Sequence, residues 1–143
     1  MKRHPSLVPL SREHHNALLL AQLLKLSAPD YKGLPTTIEE KAKYASELYK
    51  NVLINHFKAE EKLLKLASNC NEELTIISKE IFNEHVQLTD LFILLEKENV
   101  TEKLLDQLGT MLEMHIRKEE RVLFPLLEKY CSDAILSDWI LLN

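Results

Sequence analysis

Apolar residues recur at spacings of three and four along four long stretches of the chain, the pattern of helices that each bury one face. The first stretch opens at Leu10-Ser11, with Ser11 placed to act as N-cap, and runs to about Ala28, ahead of Pro29. A connection from Pro29 to Pro35, with Gly33 inside it, is the longest expected. Thr36-Thr37-Ile38-Glu39-Glu40 then offers two overlapping capping boxes, Thr36 with Glu39 and Thr37 with Glu40. The second helix is predicted from there to about Ala67. Ser68-Asn69-Cys70-Asn71 reads as a polar turn, and the third helix continues to about Glu98. Asn99-Val100-Thr101 makes the last turn, and the fourth helix runs to about Tyr130, with Pro125 expected to kink or break its last turns. Ser132 to Leu142 predicts a short closing helix whose Ile135, Leu136, Trp139 and Ile140 share helical spacing. Short connections between amphipathic helices argue for an all-α, antiparallel up-down-up-down four-helix bundle with a short C-terminal helix.

Composition narrows the function classes. The chain has 143 residues, 45% hydrophobic and 28% charged, which fits one globular domain over residues 1–143 and excludes a disordered chain. Its 2 Gly and 5 Pro are too few for a turn-dense β fold. A net charge of -4 argues against a nucleic-acid surface. No apolar run is long enough to span a membrane, and the start MKRHPSLVPLSREHH lacks the apolar core of a signal peptide. Cys70 and Cys131 form neither a CxxC nor a disulfide framework and read as ordinary thiols. The expected location is cytoplasmic.

The informative positions are histidines on the apolar stripes. In the second helix Tyr49, Val52, Leu53, His56, Glu60 and Leu63 share a face; in the fourth, Leu108, Met111, Leu112, His115, Glu119 and Val122 do. The third helix sets His85 among Ile81, Phe82, Leu88 and Phe92, and the first aligns His14 with Leu10, Ala17, Leu18 and Ala21. A lone histidine on such a face is usually a core residue with a satisfied hydrogen bond, and a lone His-x-x-x-Glu arises readily by chance in a Glu-rich helix. Three regularities tilt the balance. His56-Phe57-Lys58-Ala59-Glu60-Glu61-Lys62 and His115-Ile116-Arg117-Lys118-Glu119-Glu120-Arg121 repeat one pattern, and Glu13-His14 and Glu84-His85 echo each other. Register is the second: in an antiparallel hairpin, residues equidistant from the turn lie at one height. The midpoint of His14 and His56 is Pro35, that of His56 and His85 falls between Cys70 and Asn71, and that of His85 and His115 is Val100, each in an expected turn. The third is chemistry. Four imidazoles and two carboxylates exceed one tetrahedral zinc and suit two carboxylate-bridged metals, and nitrogen and oxygen donors without thiolate favour iron or manganese, with zinc an alternative occupant.

With these residues in view, the sequence resembles the hemerythrin-like, or HHE cation-binding, family over nearly its whole length. The pattern is a His in the first helix (Ser11-Arg12-Glu13-His14-His15), His56 to Glu60 in the second, Glu84-His85 in the third and His115 to Glu119 in the fourth. The run Glu119-Glu120-Arg121-Val122-Leu123-Phe124-Pro125 also looks like the family. The resemblance implies a non-haem di-iron centre in which Glu60 and Glu119 bridge and His14, His56, His85 and His115 are terminal ligands. It further implies binding or sensing of oxygen or a related diatomic such as nitric oxide. A small di-iron oxidase or peroxidase, an iron-centre repair factor, or a metal-stabilised bundle that recruits a protein partner are the alternatives. Oxygen carriers of the family have a further His one turn after the third-helix ligand; here that position is Thr89, which implies a more open coordination sphere at one iron. The absence of Glu-x-x-His argues against the ferritin-like class.

Some neighbours stay open at this level. His14 and His15 compete for the first-helix role, with the Glu-His echo favouring His14 and His15 left to the pocket rim or outer shell. His4 is expected at the surface. Glu61 and Glu120, one position beyond the bridging candidates, are expected on a solvated face in preference to an outer shell around the ligands. Glu13 and Glu84 could orient adjacent structures, but flank salt bridges are the favoured expectation, because sequence neighbours point about 100° apart on a helix. Tyr44 and Tyr49 are expected to pack in the core.

Overall fold

The computed structural model describes residues 2–97 and 99–142, and among them every regular element is helical. The elements are α1 (Val8–Leu24), α2 (Ile38–Leu48), α3 (Ile54–Ala67), α4 (Glu72–Leu94), α5 (Glu102–Lys118), α6 (Phe124–Tyr130) and α7 (Asp133–Asp138). Two π-helical segments, Tyr49–Leu53 and Glu119–Leu123, join α2 to α3 and α5 to α6 without a break. Four long helices therefore pack against one another, with α7 as the short closing helix, as the apolar spacing predicts.

Local chemistry sets the ends. Thr37, Thr101 and Ser132 accept the N–H groups of Glu40, Leu104 and Ile135 at 3.1, 3.1 and 3.2 Å. Of the two overlapping capping boxes only Thr37–Glu40 forms, and Thr36 stays outside the helix. The Asn71 side chain accepts the Glu73 N–H at 2.8 Å and starts α4.

Several expected boundaries move. The first helix begins at Val8 rather than at a Ser11 cap, because a 3-10 turn over Pro5–Leu7 with Pro9 behind it feeds straight into α1. It ends at Leu24 instead of Ala28: Lys25 is extended, and the Leu26 N–H is taken by the Asp106 carboxylate at 2.9 Å. The third helix ends at Leu94, and its expected end at Glu98 lies outside the described residues. Pro125 neither breaks nor visibly interrupts the fourth helix. Its missing N–H would leave the Arg121 carbonyl without a partner and its ring would crowd that carbonyl, and the wider π segment over Glu119–Leu123 precedes it.

Those π segments also change the register of the stripes. Val122, expected on the buried face, is 45% exposed, while Leu123 and Phe124 are buried in its place. Val52 is likewise only half-buried beside the fully buried Leu53. Leu136 in α7 and Trp139 in the 3-10 turn that follows it are buried, whereas Ile140 is exposed. Tyr49 stacks on Phe92 with centroids 4.6 Å apart, but Tyr44 is exposed rather than packed in the core.

The interior divides into two apolar clusters. One holds Ala17, Ala21, Phe57, Leu88, Phe92, Leu108 and Leu112; the other holds Leu10, Leu63, Leu64, Ile81, Leu123 and Phe124. Along every bundle helix the histidine falls between a residue of one cluster and a residue of the other. Gly109 allows α5 to press on α1: a Cβ there would sit 2.7 Å from the Ala21 carbonyl oxygen and 3.0 Å from Leu24 Cβ.

Candidate metal centre

Between the two apolar clusters lies a polar layer contributed by all four bundle helices. His14 from α1, His56 and Glu60 from α3, His85 from α4, His115 from α5 and Glu119 at the first π position after α5 are all buried, Glu119 completely. The register argument from the turns thus corresponds to one physical level. His15 is exposed, which leaves His14 alone as the inward-facing histidine of the first helix.

The six side chains converge in two overlapping groups: His14, His56, Glu60 and Glu119, and Glu60, His85, His115 and Glu119. Within each, one donor atom per residue lies within 4.8 Å of the others. Glu60 divides its oxygens between the groups. Its Oε2 is 3.2 Å from His14 Nε2 and 3.0 Å from His56 Nε2, while its Oε1 is 3.1 Å from His85 Nε2. Glu119 Oε1 lies 3.0 Å from His14 Nε2 and 3.2 Å from His115 Nε2, with Oε2 4.0 Å from His85 Nε2.

Proximity here is not the same as hydrogen bonding. His56 Nε2, His115 Nε2 and both Glu119 oxygens are buried without a partner in hydrogen-bonding geometry, despite the short separations. Buried polar atoms left that way are costly. Imidazole nitrogens and carboxylate oxygens that aim at shared space, without aiming at each other, are what a cation between them would satisfy. The donor set therefore fits a binuclear site sharing Glu60 and Glu119.

The outward nitrogens are equally organised. His14 Nδ1 donates to Glu120 at 2.7 Å, His56 Nδ1 to Glu13 at 3.0 Å, His85 Nδ1 to Glu61 at 2.8 Å and His115 Nδ1 to Glu84 at 2.7 Å. Each carboxylate comes from a different bundle helix than its histidine, and the four bonds close into a ring: fourth helix to first, first to second, second to third, third to fourth. This overturns the expectation that Glu61 and Glu120 are merely solvated and that Glu13 and Glu84 only make flank salt bridges. Such bonds fix the ring orientation and leave Nε2 facing inward. The ring is itself tethered, since Glu120 accepts the Ser11 hydroxyl at 2.8 Å and Arg3 at 3.3 Å, and Glu84 pairs with Lys118. Two phenyl rings complete the walls. Phe57 stacks on His85 at 4.2 Å and Phe124 on His14 at 5.5 Å. His4, expected at the surface, is half-buried instead; its Nδ1 accepts the Ser6 N–H at 3.2 Å and it takes no part in the centre.

Electrostatics bind the layer together. Burial draws the His14 imidazole down, but the carboxylates of Glu119, Glu120 and Glu60 that face it outweigh burial and push the group up to about 12. Burial likewise opposes the charged forms of His56 and His115. Glu60 and Glu13 nevertheless raise His56 to about 9, and Glu119 and Glu84 raise His115 to about 10. Burial would raise Glu60, yet the facing histidines hold it well below its ordinary 4.5. Without a cation, protons supply the positive charge that these carboxylates demand.

Fold and site together define a helical-bundle protein with two buried His/Glu groups suited to a binuclear metal site. A family model described as the hemerythrin HHE cation binding domain matches residues 76–138, which include His85, His115 and Glu119, so the chain is similar to that family over this span. His14, His56 and Glu60 lie outside the match and enter the centre by geometry. No curated protein and no solved structure matches the chain.

Proposed function

We propose that the protein is a non-haem di-iron protein that binds or senses oxygen or a related diatomic such as nitric oxide. The single observation that carries the reading is the arrangement of Glu60 and Glu119 between two histidine pairs, all six side chains buried. In it His14, His56, His85 and His115 are terminal ligands and Glu60 and Glu119 bridge. Two buried carboxylates backed by a ring of four more favour cations of high charge, and donors without thiolate favour iron, with manganese or zinc as alternative occupants. When bound, such a pair supplies two open-shell metal ions able to exchange electrons with a small ligand. The chain's own contribution is to hold the imidazoles by their Nδ1 atoms, to exclude bulk water with Phe57 and Phe124, and to keep one side approachable.

That side is supported by Thr89. It stands one turn after His85, and both line a cleft of about 290 Å3 with Phe57 and Tyr49. A non-ligating residue there favours a coordination position open to a small molecule, which also supports a second reading, a small oxidase or peroxidase acting on peroxide. The expected setting is the cytoplasm.

The test is an anaerobic ferrous titration of the metal-free protein followed by admission of oxygen. The expected result is two irons per chain and a near-ultraviolet charge-transfer band on oxidation, reversible on removing the gas for a carrier or sensor. Steady consumption of peroxide or nitric oxide would favour the enzyme. No iron uptake, or one colourless ion, would overturn the di-iron reading.

A further inference from the structure

The two cysteines, 61 positions apart in sequence, meet at one end of the bundle. Cys131 closes α6, where its N–H is held by the Leu127 carbonyl at 2.9 Å. Its sulfur points into the apolar cluster of Leu63, Leu64, Leu74 and Trp139 and reaches the Ala67 carbonyl at 3.9 Å. Three residues beyond Ala67, at the end of the 3-10 turn Ser68–Cys70, the Cys70 side chain packs against the same cluster. Both thiols therefore border one apolar cluster on either side of the Ala67 turn, and neither belongs to the histidine–carboxylate groups. The turn that carries Cys70 is braced: the Thr75 hydroxyl donates to the Ser68 carbonyl at 2.6 Å, so the thiol is presented on a fixed backbone.

Exposure divides the pair. Cys70 is half-buried and open to a reagent, whereas Cys131 is buried. Burial, and then the adjacent Cys70 sulfur, push the Cys131 thiol up to about 12, so it keeps its proton at neutral pH and is a poor first nucleophile.

We propose that Cys70 and Cys131 form a redox-active dithiol that low-molecular-weight disulfides oxidise to an intramolecular disulfide. Cys70, as thiolate, attacks one sulfur of the small disulfide; a mixed disulfide forms and one small thiolate leaves. Cys131 then gives up its proton and attacks the Cys70 sulfur, expelling the second small thiolate. Overall, two protein thiols and one small disulfide become one protein disulfide and two small thiols, so atoms and electrons balance. The new bond would tie the turn between α3 and α4 to the end of α6, enclosing His85, His115 and Glu119 in a covalent loop.

The experiment treats the full-length, metal-loaded protein with oxidised glutathione under non-denaturing conditions and follows intact mass, thiol count and non-reducing peptide maps. The expected result is loss of both thiols, a mass lower by two hydrogens with no glutathione retained, a Cys70–Cys131 cross-linked peptide, and recovery by dithiothreitol. In Cys131→Ser the glutathione adduct should remain on Cys70, and in Cys70→Ser the buried thiol should stay unmodified. The wild-type result stands without those variants if either fails to fold. A stable adduct on wild-type Cys70, two unreacted thiols, or cross-links only between chains would overturn the proposal.

Discussion

The two halves of the candidate metal centre have the same donors and different surroundings. Each offers two histidines and shares Glu60 and Glu119. Around His14, however, the protein closes: Glu120 takes its Nδ1, Ser11 and Arg3 hold Glu120, and Arg3 in turn pairs with Glu128 at 2.7 Å and lies 5.4 Å from the Phe124 ring centroid. Around His85 and His115 it opens. His85 shares a cleft with Thr89, and His115 lines another of about 460 Å3 with Met111 and Met114. Equal ligand sets thus do not make equal sites; what distinguishes them is the second layer, which sets rigidity and access. The His14 side has the features of an anchor, although His56 of the same half lines a cleft of about 390 Å3 with Glu13; the half of His85 and His115, bordered by two clefts, is the more accessible one.

The largest break in this comparison is a change that both halves share. Glu119→Ala removes a donor from each group at once, so metal stoichiometry should fall from two to at most one, with the remaining ion bound more than about 100-fold more weakly. Elemental analysis after dialysis, with helicity checked by circular dichroism, measures it. Two ions retained at wild-type affinity would remove Glu119 from the bridge.

Single-half variants sharpen the contrast. His14→Ala and His85→Ala should each lose one ion, but not with equal consequences. Loss of His14 should also loosen the second ion, because His14 Nε2 lies 3.2 and 3.0 Å from Glu60 and Glu119 and so braces both shared carboxylates, whereas His85 Nε2 is close to Glu60 at 3.1 Å and stands 4.0 Å from Glu119. His85→Ala should leave the first ion near wild-type affinity. Competition against a chromophoric chelator distinguishes the two, and identical binding curves for the variants would erase the asymmetry.

How far the centre was legible in the sequence depends on which contacts one asks about. The six inner residues follow from periodicity and from distances to the turns, because both are properties of a straight antiparallel bundle. The four outer carboxylates escaped for a specific reason. Glu13, Glu61, Glu84 and Glu120 each sit one position from an inner residue of the same helix, and a reading confined to that helix turns them away from the centre. Their partners are on the neighbouring helix, where a turn of about 100° brings them to the Nδ1 edge instead. The duplicated Glu-His and Glu-Glu pairs were the available signal. The π segments left almost none: Val122 and Leu123 are both apolar, and only Pro125 hinted that the helix would widen there.

A smaller effect should come from that outer ring. Glu120→Gln and Glu61→Gln keep an acceptor oxygen but remove the charge, and each should weaken metal binding about 10–100-fold. Glu120 should lie at the upper end, since it also joins Ser11 and Arg3 to the centre. Equal losses would mean that charge alone matters and that the tether beyond it does not.

The smallest and most diagnostic effect is in pH. In the metal-free protein His56, His115 and His14 are raised from the ordinary 6.5 to about 9, 10 and 12. A raised imidazole stabilises the fold fully below 6.5 and loses that contribution as pH climbs through its folded value. Glu60 works in the other direction, stabilising above 4.5 and failing only as pH falls through its lowered folded value. The metal-free melting temperature should therefore be highest between about 4.5 and 6.5 and drop by several degrees toward pH 9 and beyond. Cations that replace these protons reverse the slope, because binding releases protons and strengthens as pH rises. The gap between loaded and metal-free melting temperatures should then widen with pH, and in His14→Ala it should widen less, since the most strongly held proton is gone. A gap constant from pH 6 to pH 9 would mean that metal and protons do not compete for the same imidazoles.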